Sequence, residues 1–171
     1  MATQNPIELE GTFPLPEAQL DRFLLKLRLG YPEKDEEISM LERFREKDPL
    51  KNLKEVAGPQ QVSELQDARK KIRISIPVRK YIVDIVRATR KNKALRFGAS
   101  PRGSLGLMRA GQALAALRGR EFVLPDDIKH LAVPVLAHRL ILTDEERLRG
   151  GTPRQLLGKI LEQTPVPAPT E

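Results

Sequence analysis

The sequence predicts a mainly α-helical fold, and three observations carry that expectation. Apolar residues recur at three- and four-residue steps in successive stretches, most of them introduced by a proline or a residue suited to a helix start. Hydrophobic residues make up 40% of the 171-residue chain and charged residues 31%, the balance of a folded globular protein. Strand-like runs are few and short, the clearest being residues 23–29 and 138–142.

In chain order, Asn5-Pro6 reads as a turn dipeptide, since the residue before a proline is pushed toward extended geometry. Pro16 at a first helical position and Glu17 in the first turn predict a helix of two short turns, with Arg22 at the end of that element. Residues 23–29 read as a strand closed by Gly30-Tyr31-Pro32. A single strand needs neighbours, and the sequence supplies no obvious sheet for it, so part of a sheet is expected to lie before Met1. Residues 33–47 form an amphipathic helix with Ile38, Leu41 and Phe44 on one side, ended by Asp48-Pro49. A loop over 49–59 leads to a helix over 60–72 that presents Val62, Leu65, Ala68 and Ile72.

A third amphipathic helix, 77–91, buries Val78, Ile82, Ile85 and Val86 and shows Arg79, Lys80, Arg87, Arg90 and Lys91 outward. Ser100 is placed to cap the next helix, Pro101 to occupy its first position, and Arg102 to project from its first turn. A cation there gains nothing from the helix dipole, so it is either tolerated or meets an anion. That helix, rich in small apolar residues up to about residue 118, is expected to be the central one, closed by Gly119. Pro125-Asp126-Asp127 opens a helix to about residue 137 that Pro134 should kink or shorten. A short strand at 138–142, an acidic mobile loop through Gly150-Gly151 and a helix over 153–163 follow. The proline-rich end, TPVPAPTE, is expected to be disordered.

The net charge of +7 is unevenly spread: residues 68–120 hold fifteen Lys and Arg against one acid, Asp84. Such a stretch suits phosphates, nucleic acid or an acidic neighbour, and equally a solvated basic face. With no cysteine there is neither a disulfide framework nor a thiol nucleophile. His130 and His138 have no cysteine near them, which gives no pattern for a zinc site, and no metal is expected on this chain. No apolar run of membrane-spanning length and no secretory signal occurs, which sets the expectation of a cytoplasmic protein.

Two strings carry a family resemblance: ATQNPIELEGTFPLPEAQLDRF at residues 2–23 and the Ser-Pro-Arg turn at 100–102. Together they closely resemble the MoxR group of AAA+ ATPases over residues 2–167. The resemblance implies a helical AAA+ lid subdomain of five to six helices with a short strand or two, preceded by a remnant of the α/β ATPase core. The corresponding division is 1–32 for the end of the core, with its last strand, 33–164 for the lid and 165–171 for the tail. It also implies that Asn5 is the sensor-1 residue, that Arg22 is an arginine finger acting on a neighbouring subunit's nucleotide, and that Arg102 is the sensor-2 arginine. Taken alone, the residues allow Asn5 to cap a turn, Arg22 to pair with a surface carboxylate and Arg102 to stand exposed.

What the family implies further is ATP and Mg2+ in the full-length protein, ring assembly, commonly as hexamers, and a chaperone-like role in maturing protein complexes. A von Willebrand A domain partner and a client protein belong to the same expectation. This chain contains no GxxxxGK[ST] phosphate loop and no apolar strand running into Asp-Glu, so by itself it is expected neither to hydrolyse ATP nor to hold a cofactor tightly. The competing reading is a stand-alone basic helical module that binds nucleic acid through residues 69–120. Only Tyr81 and Phe97 supply aromatic rings in that stretch, which disfavours it.

Overall fold

A computed structural model of the chain describes residues 1–3, 15–45 and 48–168. Among these the helices are α1 (Glu17–Leu20), α2 (Lys34–Phe44), α3 (Pro59–Lys71), α4 (Ile76–Lys91), α5 (Pro101–Leu117), α6 (Pro125–Leu136), α7 (Asp144–Leu148) and α8 (Pro153–Gln163). Two short strands, β1 (Leu95–Phe97) and β2 (Ile141–Leu142), and 3-10 turns at Pro49–Asn52 and Ala137–Arg139 complete the set. The fold is mainly α, as the periodicity predicts. Asn5 and Pro6 lie outside the described residues.

The chain divides into two compact units, one made of the described residues of Met1–Lys26 and Ile72–Glu171, the other of Leu27–Lys71. In the larger unit α5 packs against both α4 and α6, and α8 closes the bundle against α4 and α6. Its core holds Tyr81, Ile85 and Val86 of α4, Leu107 of α5, Ile128, Val135 and Leu136 of α6, and Leu157 of α8. Burying one such aliphatic side chain stabilises the fold by about 1.5–3 kcal/mol.

The close α5–α6 packing follows from glycines. A Cβ at Gly103 would lie 2.9 Å from Leu136 Cδ2, one at Gly106 3.0 Å from Val135 Cγ1, and one at Gly111 2.9 Å from Ile128 Cδ1. The small-residue character read from the sequence is thus the surface on which α6 beds. The ends of the two helices are pinned by Asp127, which is wholly buried. Its carboxylate accepts hydrogen bonds from Arg118 at 2.9 Å, from both terminal nitrogens of Arg120 at 2.8 and 2.7 Å, and from the Leu124 N–H at 2.9 Å. Burial alone would raise its pKa, but the Arg120 and Leu124 hydrogen bonds and the two guanidinium charges reverse that and hold the carboxyl below the usual range.

Ser100 caps α5 and Pro101 and Pro125 sit in first turns, as the sequence predicts; Ser75, Thr143 and Thr152 likewise cap helices through the side-chain oxygen, and Pro77 and Pro153 sit in first turns. β1 and β2 pair antiparallel, Leu95 with Leu142 and Phe97 with Ile141.

Two expectations need correction. The strand expected at residues 23–29 is not a strand among the described residues: an extended segment becomes one only by pairing with another main chain, and among the described residues 23–26 make one such backbone bond to α6, Lys26 N–H to the Pro134 carbonyl at 2.9 Å. The acidic loop after residue 142 is helix α7, because Thr143 caps it at Glu146 and Asp144, Glu145 and Glu146 complement its first turn. Among the described residues the helices between residues 33 and 164 are α2 to α8, in keeping with a helical lid of about half a dozen helices. In the smaller unit α2 and α3 form where periodicity places them, yet neither buries a residue: Ile38, Leu41, Phe44 and Leu65 are all more than half exposed.

Candidate functional site

The turn that launches α5 rests on the last turn of α4. Only glycine fits at position 98, where a Cβ would come within 2.6 Å of the Arg90 amide nitrogen and 2.7 Å of the Thr89 carbonyl carbon. With that approach allowed, the Ala99 N–H donates to Thr89 Oγ1 at 3.0 Å, the Thr89 hydroxyl donates to the Val86 carbonyl at 2.6 Å, and Arg90 Nε donates to the Ala99 carbonyl at 2.8 Å. Thr89 and Ala99 are buried, so the turn is seated on groups that are themselves fixed. Ser100 and Arg102 project from this platform.

Both reach the same carboxylate. The Ser100 hydroxyl lies 3.1 and 3.0 Å from the two oxygens of Asp21 while also accepting the Arg102 N–H at 3.2 Å. Arg102 Nη1 lies 3.5 Å from Asp21 Oδ2, a long contact for a guanidinium whose side chain is 59% exposed. Asp21 is held from the other side by Arg139, whose Nη1 donates to Asp21 Oδ1 at 2.8 Å and to the Asp21 main-chain carbonyl. Arg139 Nη2 donates to the Phe23 carbonyl at 2.5 Å and its Nε to the Val135 carbonyl at 2.8 Å. Its side chain is only 3% exposed, so every bond it makes is made inside the protein.

Pro134 prepares this arrangement. Lacking an N–H, it cannot continue the α6 ladder normally, and the helix gives way at Ala137–Arg139 to a 3-10 turn. The Pro134 and Val135 carbonyls then take Lys26 N–H and Arg139 Nε. His138, on the same turn, has Nε2 at 3.1 Å from the Phe23 carbonyl, which fixes that nitrogen as the donor in the neutral ring, while Nδ1 is shielded from solvent and has no hydrogen bond among the described residues. Burial lowers the His138 pKa below the ordinary imidazole range. The Phe23 and Pro134 carbonyls oppose the shift, and the Arg139 and Lys26 charges reinforce it. A cleft of about 160 Å³ opens between Glu17, Asp21, Ser100, His138 and Arg139.

Arg22 follows Asp21 directly, in the turn that ends α1. Its side chain is exposed and, among the described residues, makes no hydrogen bond or ion pair. The fold therefore brings Arg102 to the residue adjacent to Arg22 across 81 positions of sequence. Asn5 lies outside the described residues. Among those described, no group of three or more His, Cys, Asp or Glu is placed to hold a metal ion, and no helix is long and apolar enough to cross a membrane.

Sequence reasoning missed Asp21, His138 and Arg139. Asp21 reads as an ordinary acid at a helix end, and Arg139 falls in a run that alternates like a strand. The available signal was Pro134 near the end of a helix, where the carbonyls of the last turn are in need of donors.

Comparison with known proteins agrees with this geometry. Residues 1–25 match the family model of the ATPase family associated with various cellular activities (AAA), and residues 87–160 match that of the AAA lid domain. An uncharacterised Bacillus subtilis protein, YeaC, is 44% identical over 167 residues, 98% of this chain and 52% of its own length. The Mycobacterium tuberculosis protein named chaperone MoxR1 is 38% identical over 98% of this chain and 46% of its own. The Paracoccus denitrificans protein MoxR is 32% identical over 98% and 55%. The crystal structure of a candidate ATPase from Cytophaga hutchinsonii superimposes with a TM-score of 0.89 at 35% identity, covering 96% of this chain and 53% of that one. This chain thus spans about half the length of the relatives it matches. With its helical lid bundle and its AAA-type amino-terminal segment, the chain belongs to the MoxR family of AAA+ ATPases and corresponds to that family's carboxy-terminal part.

Proposed function

We propose that this chain is the lid-bearing, carboxy-terminal part of a ring-forming, chaperone-like ATPase, and that its role is to complete nucleotide sites whose phosphate loop lies elsewhere. The observation that carries this reading is the state of Arg22: a permanently charged, planar donor, exposed and unpaired among the described residues, in a turn that Asp21 and Arg139 fix to the lid. Such a donor fits a phosphoryl group presented by a neighbouring subunit, because two parallel N–H groups match two phosphate oxygens. Arg102 fits a second contact, since its hold on Asp21 is long and its side chain is more than half exposed.

Nucleotide with its magnesium supplies, when bound, the phosphoryl group transferred to water. The chain's own part is to present charge. Arg22 meets the negative charge that develops on the neighbour's phosphoryl oxygens, Arg102 senses phosphate within its own subunit, and Asn5 orients a water or a phosphate oxygen through its amide. In this reading residues 1–32 end the ATPase core, 33–164 form the lid, and 165–171 are a tail. Rings, in the hexameric form, acting in the cytoplasm on a client protein alongside a von Willebrand A domain partner, complete the proposal. The basic stretch gives less support to a nucleic-acid partner where Arg90, Arg118 and Arg120 already bond to groups of this chain.

The test is made on the full-length protein. Arg22→Ala is expected to bind ATP normally and to lose about a hundredfold or more in turnover, the usual effect of removing one donor aimed at developing charge. Arg102→Ala is expected to slow hydrolysis and to weaken nucleotide-dependent closure. Wild-type turnover in both variants sinks the reading.

A further inference from the structure

We propose that Asp21 is the positioning residue of the Arg22 finger, and that it ties the finger to the helix start bearing Arg102. The inference rests on the reading of Arg22 given above and goes beyond it by naming what holds that arginine in place. A finger must arrive at a neighbour's phosphate with its direction already set, since a misplacement of about 1 Å can cost about a hundredfold in rate. Among the described residues the Arg22 side chain has no partner to set it, and α1, at four residues, is too short to be rigid by itself. What fixes the turn is its neighbour. The Asp21 carboxylate takes Arg139 on one oxygen and the Ser100 hydroxyl across both, while the Asp21 and Phe23 carbonyls, on either side of Arg22, both accept from Arg139. The residues before and after Arg22 are thereby bolted to a buried guanidinium, and the Arg22 side chain is left to point outward.

The same carboxylate carries the link to Arg102. Asp21 and Arg102 meet at 3.5 Å, while Ser100 holds Asp21 at 3.0 Å and caps the helix through the Arg102 N–H. Arg102 can therefore leave Asp21 for a phosphate without releasing the Ser100 and Arg139 bonds, and its departure removes one positive charge from beside Asp21. The remaining bond to Arg139 then carries more of the carboxylate's charge, so engagement of nucleotide in one subunit tightens the mounting of the finger it offers to the next.

The first measurement needs only the 171-residue chain. Hydrogen exchange at the amides of Arg22, Phe23 and Lys26, bonded to the Gln19, Leu20 and Pro134 carbonyls, should be slow in the wild type and at least tenfold faster in Asp21→Ala, which leaves the body of the lid protected. Unchanged exchange at those amides overturns the proposal. The second measurement uses full-length rings. Asp21→Ala should keep ATP affinity and lose turnover to the level of Arg22→Ala, and turnover should return in mixed rings whose other subunits carry an intact finger but a disabled phosphate loop. A fold defect confined to the variant subunit would not be cured by its neighbours.

Should Asp21→Ala fail to fold, Asp21→Asn carries the test. It keeps an oxygen for Arg139 and Ser100 but gives up the ion pair, and its turnover should fall between the wild type and Arg22→Ala. Wild-type turnover in a folded Asp21 variant, with Arg22→Ala impaired, overturns the role of Asp21 alone, whereas full turnover in Arg22→Ala overturns the finger reading itself.

Discussion

Arg139 combines near-complete burial with a full positive charge, which a protein tolerates only when the donors are matched. Removing its partner or the residue itself breaks several bonds at once. Arg139→Met, which keeps the bulk but takes one donor from each of the Asp21, Phe23 and Val135 acceptors, is expected to destabilise the fold by about 3 kcal/mol, read as a lower denaturant midpoint. His138 adds a pH dependence of definite sign. Its pKa is lowered in the fold, so below about 6.5 the unfolded chain takes up more protons than the folded one. Stability is then full at neutral pH and above, and declines as pH falls through the ordinary imidazole value toward the lowered one. Denaturation at about pH 7.5 and about pH 5.5 should show a drop in the wild type that His138→Gln reduces. These residues were not legible in sequence, because a bond between positions 21 and 139 is set by tertiary packing and leaves no local trace. The exposed arginines were more legible: the proline and serine before Arg102 mark a helix start with or without its partner.

At the level of elements, glycines differ in what surrounds them, and the differences order their tolerance of a methyl group. Gly98 would press a Cβ into main-chain atoms of α4 at 2.6 Å, which cannot turn aside, whereas Gly111 would meet only side-chain ends, Ile128 Cδ1 at 2.9 Å and Val123 Cγ1 at 3.2 Å. Gly98→Ala is therefore expected to cost more than Gly111→Ala, for which about 1–3 kcal/mol of overpacking is offset by up to about 1 kcal/mol of helix propensity. Gly158, inside α8 with nothing within 4 Å of its Cβ position, should instead give a more stable protein as alanine, by about 0.5–1 kcal/mol. Thermal melts of the three variants check the order. Caps and first-turn prolines made α4, α5, α6 and α8 readable because those signals are local. The expected strand at 23–29 and the unforeseen helix α7 mark the boundary of that approach: pairing is decided by neighbours distant in sequence, and an acidic run reads as loop until its threonine cap is recognised.

On the scale of the molecule, two compact units differ in how their apolar residues are used. The larger buries a continuous core, while α2 and α3 leave Ile38, Leu41, Phe44 and Leu65 uncovered. Amphipathic periodicity predicted both kinds of helix equally well, since it reports which face is apolar and not whether anything lies against it. The larger unit is also discontinuous, joining residues 15–26 to residues 72–168 around the 45 residues of Leu27–Lys71. Arg139 and Pro134 hold that junction by side-chain and main-chain bonds rather than by chain continuity. A protease that cuts once in the exposed stretch 53–57 should accordingly yield two polypeptides that travel together through a sizing column. The same cut in Arg139→Met should let them separate, so that one buried guanidinium serves as the rivet of a split protein.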